Sequence, residues 1–386
     1  MTRALVESNR TAAWVARQTK SPSIRVASLA DYGQIYLLHL RNGLTVRSYE
    51  DWAAFWKGNP VYERLGRRWP IGWVLEAKDG KIVGSIGSIP LAYQFQGREL
   101  LAAAACSWVV DPAYRGYSML ILDRLLRQPK VDCFVCSTVS AASEPSYQAF
   151  QWSRARVGTW DKSAFWITNY RGFSKSLLSL KSIPLATAMS YPVSAALFCG
   201  DKFKDIGASD VLPGADFELC PSFDSRFDEF WHELKREKRN SLLPVRDRET
   251  LQWHFRYSQE RQSLWILALS SGSRITAYAV FDRQDNLAAE LTRVRLIDFQ
   301  ALQGSEKSLS IALGWMLRKC REEGIHILEN SGCWTDQMDM PGVQAPSRRS
   351  LPSWTYYFKV NDKALHQALS DPAVWAPSSF DGDVSL

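Results

Sequence analysis

No run in this 386-residue chain is long and apolar enough to cross a bilayer. The longest, residues 183–199, is broken by Pro184, Pro192 and several serines and threonines, short of the roughly 20 apolar residues that a spanning helix needs. Cysteine is sparse and odd in number. The seven residues, Cys106, Cys133, Cys136, Cys199, Cys220, Cys320 and Cys333, lie mostly in apolar runs, which excludes a disulfide framework and implies a reducing compartment. Cys133 and Cys136 form one CxxC, but it falls in a predicted strand with no second CxxC or HxxxH, so no metal is expected. The five histidines, His39, His232, His254, His326 and His366, make no HExxH, and no GxSxG elbow is present to start a Ser-His-Asp triad. GxxxxGK[ST] and GxGxxG are also missing, which excludes the two commonest nucleotide loops.

What is there describes a globular chain. Hydrophobic residues make up 46% and aromatics 12%, with 16 Trp, and 386 residues are long for one domain and comfortable for two. A net charge of +7 and a pI near 9.0 suit an anionic partner of any kind, nucleic acid and polyanionic glycans included. Residues 1–22 carry Arg3, Arg10, Arg17 and Lys20 beside Glu7 and no apolar core of signal-peptide length. A flexible tail and a cytoplasmic location are the expectation, with a transit peptide as the alternative. No oligomeric state can be read from these features.

The most informative stretch is 104–126, where a strand, an abrupt polar turn and an amphipathic helix follow one another without a spacer. Residues 104–110 are apolar and compatible with a strand, Asp111 and Pro112 stop it, and Arg115-Gly116 lead into a helix whose Met119, Leu120, Ile121, Leu122, Leu125 and Leu126 supply an apolar face. A helix opening at a strand end points unpaired N–H groups and its positive dipole end at the crevice there, which favours phosphate. Upstream, residues 73–77 and 82–89 read as strands around a Lys78-Asp79-Gly80-Lys81 turn, with a third strand over 91–94 and a turn at Gln96-Gly97-Arg98. Downstream, 131–139 is another strand and 143–150 a short helix.

Val110-Asp111-Pro112-Ala113-Tyr114-Arg115-Gly116 resembles the pyrophosphate loop of the GNAT acyl-CoA transferases, a Val-x-Pro-like turn followed by Arg-Gly-x-Gly-x-Gly and a helix. Ser118 and Leu120 stand where that family carries glycines. The family's Asn-x-x-Ala-x-x-x-Tyr spacing is kept as Ser140, Ser143 and Tyr147, followed by Gln151-Trp152 in place of Gly-Phe. The resemblance implies an α/β fold in tandem GNAT-like lobes, each a mixed, mostly antiparallel sheet flanked by helices. It also implies acetyl-CoA or another acyl-CoA as co-substrate, with the backbone of Trp108, Val109 and Val110 pairing with pantetheine as an added strand. The amides of Arg115, Gly116, Tyr117, Ser118 and Met119 would hold the pyrophosphate, and Tyr147 would protonate the departing thiolate. No carboxylate lies on the central strand, and Glu76, Glu99 and Glu144 read as solvated or capping groups, so no general base is assigned.

The expected divisions are a first lobe over 23–170, a connector over 171–208, a second lobe over 209–372 and a C-terminal tail over 373–386. Helices over 223–238 and 249–257, strands over 263–270, 274–282 and 288–299, a helix over 305–323 capped by Gly324 and a strand over 325–329 repeat the first lobe's order. The second lobe has no Arg-Gly-x-Gly-like turn, and Glu306 lies where phosphates would sit, so a single cofactor site is expected. The acceptor is a small-molecule or glycan amine, an amino sugar by family association, with no nucleic acid expected. Two alternatives stand: a Fem-like aminoacyl transferase using aminoacyl-tRNA, and a catalytically silent GNAT-like binding module.

Overall fold

The computed structural model describes residues 21–183, 186–204, 217–305, 308–332, 347–351 and 354–386. The tail residues 1–20, Pro184, Glu306 and Cys333 lie outside the described residues. The chain divides into two compact units, Met1–Leu91 with Leu101–Val135, and Ala92–Leu100 with Cys136–Leu386. The architecture is mixed α/β, with two mostly antiparallel sheets flanked by helices.

From the N-terminal side β1 (Ser23–Val26) leads through α1 (Tyr32–Arg41), α2 (Tyr49–Ala53) and α3 (Pro60–Arg64) to β2 (Gly72–Glu76), and then to β3 (Ile82–Phe95), β4 (Arg98–Val110), α4 (Ser118–Leu126) and β5 (Cys133–Val139), of which residues 92–95, 98–100 and 136–139 are counted in the second unit. The strands lie in sequence order, β2 antiparallel to β1 and β3, and β4 parallel to β5. The parallel ladder is short. It joins Ala102, Ala103 and Ala104 to Cys133, Phe134 and Val135 only, so β4 runs six residues past it. Helix α4 buries Ile121, Leu122 and Leu125 against the sheet. It can come close because Gly84 stands beneath it: a Cβ there would lie 3.1 Å from Val110 Cγ2 and 3.2 Å from Ile121 Cδ1.

The second unit comprises α5 (Glu144–Ala149), β6 (Ser153–Arg154), β7 (Lys162–Ile167), α6 (Tyr170–Leu180), α7 (Ala186–Lys204), β8 (Phe217–Cys220), α8 (Ser225–Glu237), β9 (Leu243–Pro244), α9 (Arg248–His254), α10 (Arg256–Glu260), β10 (Leu264–Ser271), β11 (Arg274–Arg283), β12 (Arg293–Ala301), α11 (Ser308–Glu322), β13 (Ile327–Ser331), β14 (Ser347–Ser350), β15 (Thr355–Lys359) and α12 (Lys363–Leu369). Its main sheet has the order β14-β7-β13-β12-β11-β10-β8. Ala279, Phe281 and Leu296 of the sheet pack with Leu309, Leu313 and Met316 of α11 as its core.

Several elements differ from the expected ones. Residues 82–95 form one strand rather than two, because β2 pairs no further than Gly87, so the N–H missing at Pro90 removes no bond to β2. The third strand of the second sheet begins at Arg293, after a 3-10 turn over Leu287–Ala289 whose Asn286 side chain accepts from the Ala289 amide. The stretch read as a connector is largely helical, α6 and α7. The apolar residues of α7 lack amphipathic periodicity and Pro192 lies inside it, the two features that hid this helix from pattern reading. The C-terminal residues also pack: Ser378, Ser379, Phe380 and Asp381 are buried.

Two buried carboxylates tie this unit together. Asp298 on β12 receives Arg246 Nε at 2.8 Å, the Tyr278 hydroxyl at 2.7 Å and the Ser378 hydroxyl at 2.8 Å. Glu329 on β13 accepts from Arg295 of β12 at 2.7 Å, from Ser163 of β7 at 2.7 Å and from Arg349 of β14. Burial opposes ionisation of Glu329, but Arg295, Arg349 and Arg293 outweigh it and hold its carboxyl down at about 2. A carboxylate depressed on folding adds stability that is complete above its unfolded value, about 4.5, and lost as pH falls towards 2. Glu329→Gln should therefore lower the melting temperature at pH 7 by the equivalent of roughly 3 kcal/mol and flatten the acid limb of stability. Equal melting curves at pH 7 and pH 3 for the two proteins would show that the cluster is dispensable.

Candidate functional site

The end of β4 is shaped by its backbone. Ser107 has φ +49°, a left-handed residue within a strand, and the bend it makes precedes Trp108, Val109 and Val110. Trp108 and Val109 are half-buried and Val110 is buried. Because the ladder to β5 has already ended at Ala104, the β5-side edge of these residues is not used by that strand.

Asp111 then clasps the turn to α1. Arg41 donates to it from Nε at 2.9 Å and Nη2 at 2.7 Å, Asn42 donates at 2.8 Å, and Arg41 Nη2 also reaches the Ile82 carbonyl at 2.7 Å. Burial works against the charged form of Asp111, but the hydrogen bonds from Arg41 and Asn42 prevail and keep its carboxyl below the usual range. The single acid at the mouth of the loop is thus neutralised in place.

Pro112–Tyr117 form a 3-10 helix that passes into α4, so the helical turn starts three residues before the Arg115-Gly116 expected from the sequence; Pro112, with its fixed φ, occupies the first position. No side chain caps either helical start. Arg115 and Gly116 are exposed, while Tyr117, Ser118 and Met119 are half-buried. The Ser118 hydroxyl and amide both donate to the Arg115 carbonyl, the hydroxyl at 2.7 Å. A Cβ on Gly116 would meet nothing within 4 Å, so the space above it is open. Leu120 is 51% exposed and takes no part in the buried face of α4.

Tyr147, in the second unit, is 3% exposed on α5, with Trp152 and Tyr357 against its ring at 5.0 and 5.8 Å. Its hydroxyl donates to Cys136 Sγ at 3.3 Å. Burial pushes the Cys136 thiol up to about 12, so it stays protonated, and a neutral thiol is a weak acceptor. Of the carboxylates weighed as bases, Glu76 is paired with Arg25 at 2.5 Å, Glu144 accepts from the Tyr357 hydroxyl at 2.5 Å, and Glu99 is exposed.

One ionisable group was not singled out by sequence reasoning. His39, in the last turn of α1, is 6% exposed and faces small cavities beside Ser107. The available signal was its spacing: His39 follows the buried Ile35 by four residues, which puts both on the helix face turned to the sheet. Among the described residues no group of three or more His, Cys, Asp or Glu is placed to hold a metal ion. No described helix is long and apolar enough to cross a membrane.

No protein-family model and no curated protein matches the chain. Solved structures do. A GCN5-related N-acetyltransferase from Kribbella flavida aligns with a TM-score of 0.55 and 10% identity over 89% of this chain and 72% of that one. One from Anabaena variabilis gives 0.51 and 12% over 88% and 73%. Saccharomyces cerevisiae N-myristoyltransferase, solved with myristoyl-CoA and inhibitors, gives 0.51 and 10% over 88% and 80%. At such identities the likeness establishes the fold: this chain has the fold of the GCN5-related N-acetyltransferases.

The open space above Gly116 separates folding from binding. Gly116→Val should leave the melting temperature nearly unchanged, since no protein atom is displaced, and should weaken acyl-CoA binding in a calorimetric titration. Unchanged affinity would mark the turn as incidental to ligand binding.

Proposed function

We propose that this protein is an acyl-CoA-dependent N-acyltransferase that moves an acetyl or longer acyl group from a coenzyme A thioester to an amine. The observation that carries the reading is the uncapped helical start that follows directly on a strand whose edge beyond Ala104 is left unused by β5. In this reading a pantetheine arm lies along the backbone of Trp108, Val109 and Val110 in the manner of an added strand. The positive end of the helical run that opens at Pro112 and the exposed Arg115 guanidinium favour the phosphates, the Ser118 amide being already given to the Arg115 carbonyl, and the clasped Asp111 keeps its charge engaged with Arg41.

In this reading Tyr147 donates the proton that the leaving thiolate needs. Its hydroxyl donates to Cys136 Sγ at 3.3 Å, and a phenol is a suitable proton donor to a departing thiolate. The +7 net charge is consistent with a cofactor of three phosphates. An amine panel should include both an amino sugar of a glycan and amines on unbranched stems.

The test begins with calorimetry. Acetyl-CoA or a longer acyl-CoA should bind at one site per chain and raise the melting temperature by mass action. No binding at high micromolar ligand would sink the proposal, and transfer from aminoacyl-tRNA alone would replace it with a tRNA-dependent enzyme. With an active acceptor in hand, Tyr147→Phe should keep acyl-CoA affinity and lose roughly 10²- to 10⁴-fold in turnover. Equal turnover would return Tyr147 to a packing role.

A further inference from the structure

Two small cavities of the first unit, each about 20 Å³, share His39, Ile35, Trp52, Phe55 and Ser107 in their walls. Their walls are largely aromatic. Trp52 and Trp56 meet edge to face at 5.0 Å, Tyr32 lies 5.5 Å from Trp52, and the Trp56 indole is fixed by a 2.8 Å bond to the Ser88 carbonyl. A volume of this size holds a single water or an amine nitrogen on a slim stem, not a ring. At the sheet side lie Ser107, the left-handed residue of β4, and Gly87, where a Cβ would stand 2.5 Å from Cys106 Sγ.

We infer that His39 is the general base of this protein, taking the proton of an acceptor amine that enters this aromatic slot end-on. The inference rests on the acyltransferase reading above. With the phosphates at 112–119 and the pantetheine arm laid back along β4, three residues from Val110 to Ser107 span about 10 Å, which brings the thioester end towards the bulge and the slot. In the step itself the amine nitrogen forms a bond to the thioester carbonyl carbon and the carbon–sulfur bond breaks. The nitrogen's proton goes to the His39 imidazole, and the sulfur leaves with the bonding pair and takes a proton from water.

The surroundings leave His39 as the acceptor by elimination. The other titratable groups on these walls are Tyr32 and Tyr36 on its own helix, Arg47 from the loop that follows, and Cys106 on β4. At neutral pH the phenols and the thiol carry their protons and a guanidinium does not lose one. No carboxylate is among the residues lining either cavity. From β3, Ser85 Oγ stands 3.5 Å from His39 Nε2, and α2 contributes only the indole of Trp52 and the segment after it only rings. Burial lowers the affinity of the imidazole for a proton, so the neutral form is present at pH 7 and persists below the usual histidine range.

The decisive measurement combines a variant with a titration of the wild type. His39→Gln should bind acyl-CoA as the wild type does and lose about 10²- to 10⁴-fold in turnover, with the deficit shrinking for amines of low pKa that arrive already neutral. In the wild type, kcat/KM should fall on the acid side with a midpoint below the ordinary histidine value of about 6.5, and the NMR titration of the His39 ring should show the same midpoint. Full activity of His39→Gln, or a deficit equal for all amines, overturns the inference. A wild-type midpoint unrelated to the His39 ring does so even if the variant fails to fold. Loss of acyl-CoA binding by the wild type is a separate result, read by calorimetry, and removes the acyltransferase reading together with its base.

Discussion

The structure turns on a ladder only three residues long. β4 must act as a central strand on one edge, yet its ladder to β5 ends at Ala104 and Val135, and the six residues that follow bend at Ser107 and run out to the Asp111-Pro112 turn. A full ladder would consume the backbone groups an added strand requires, since each amide and carbonyl on a strand edge bonds one partner. The left-handed residue at Ser107 costs of order 1 kcal/mol and is held by the buried strand on one side and the Arg41–Asp111 clasp on the other.

The second unit solves a different problem with charge. The seven strands of its main sheet come from distant parts of the chain, β7 being set between β13 and β14, and the buried Glu329 touches β7, β12 and β14 at once. Asp298 similarly binds Arg246, Tyr278 and the C-terminal Ser378. Buried charges of this kind contribute less net stability than their short distances suggest, because each must first be desolvated. What they add is a penalty for any other arrangement, in which a carboxylate or guanidinium would be buried alone.

The parallel pair recurs in the second unit, β12 with β13 over Arg293–Leu296 and Ile327–Asn330, but its surroundings differ. Beyond that pairing β12 carries Asp298 and Gln300, both buried and hydrogen-bonded within the protein, so the polar groups near the strand end serve the fold. In the first unit the corresponding stretch is apolar and ends on exposed Arg115 and Gly116. The same parallel pairing thus ends on exposed residues in one place and on an internal polar lock in the other.

Local order in the chain determined much of this. The periodicity of 118–126, the turn at Gln96-Gly97 with both φ values positive, and the strand-turn-helix order around Arg115-Gly116 are consequences of neighbouring residues and could be read from them. Continuity of β3 through Pro90 could not, because whether a missing N–H matters depends on how far the adjacent strand reaches. The insertion of β7 beside β13 and the burial of Ser378 and Asp381 are long-range pairings with no local signature. His39 shows the division most clearly. Its place on the inward face of a helix was legible from spacing, but the burial that lowers its proton affinity and its position beside the Ser107 bend also depend on Ser85, Cys106 and Ser107, more than 40 positions away, which only the tertiary structure brings to it.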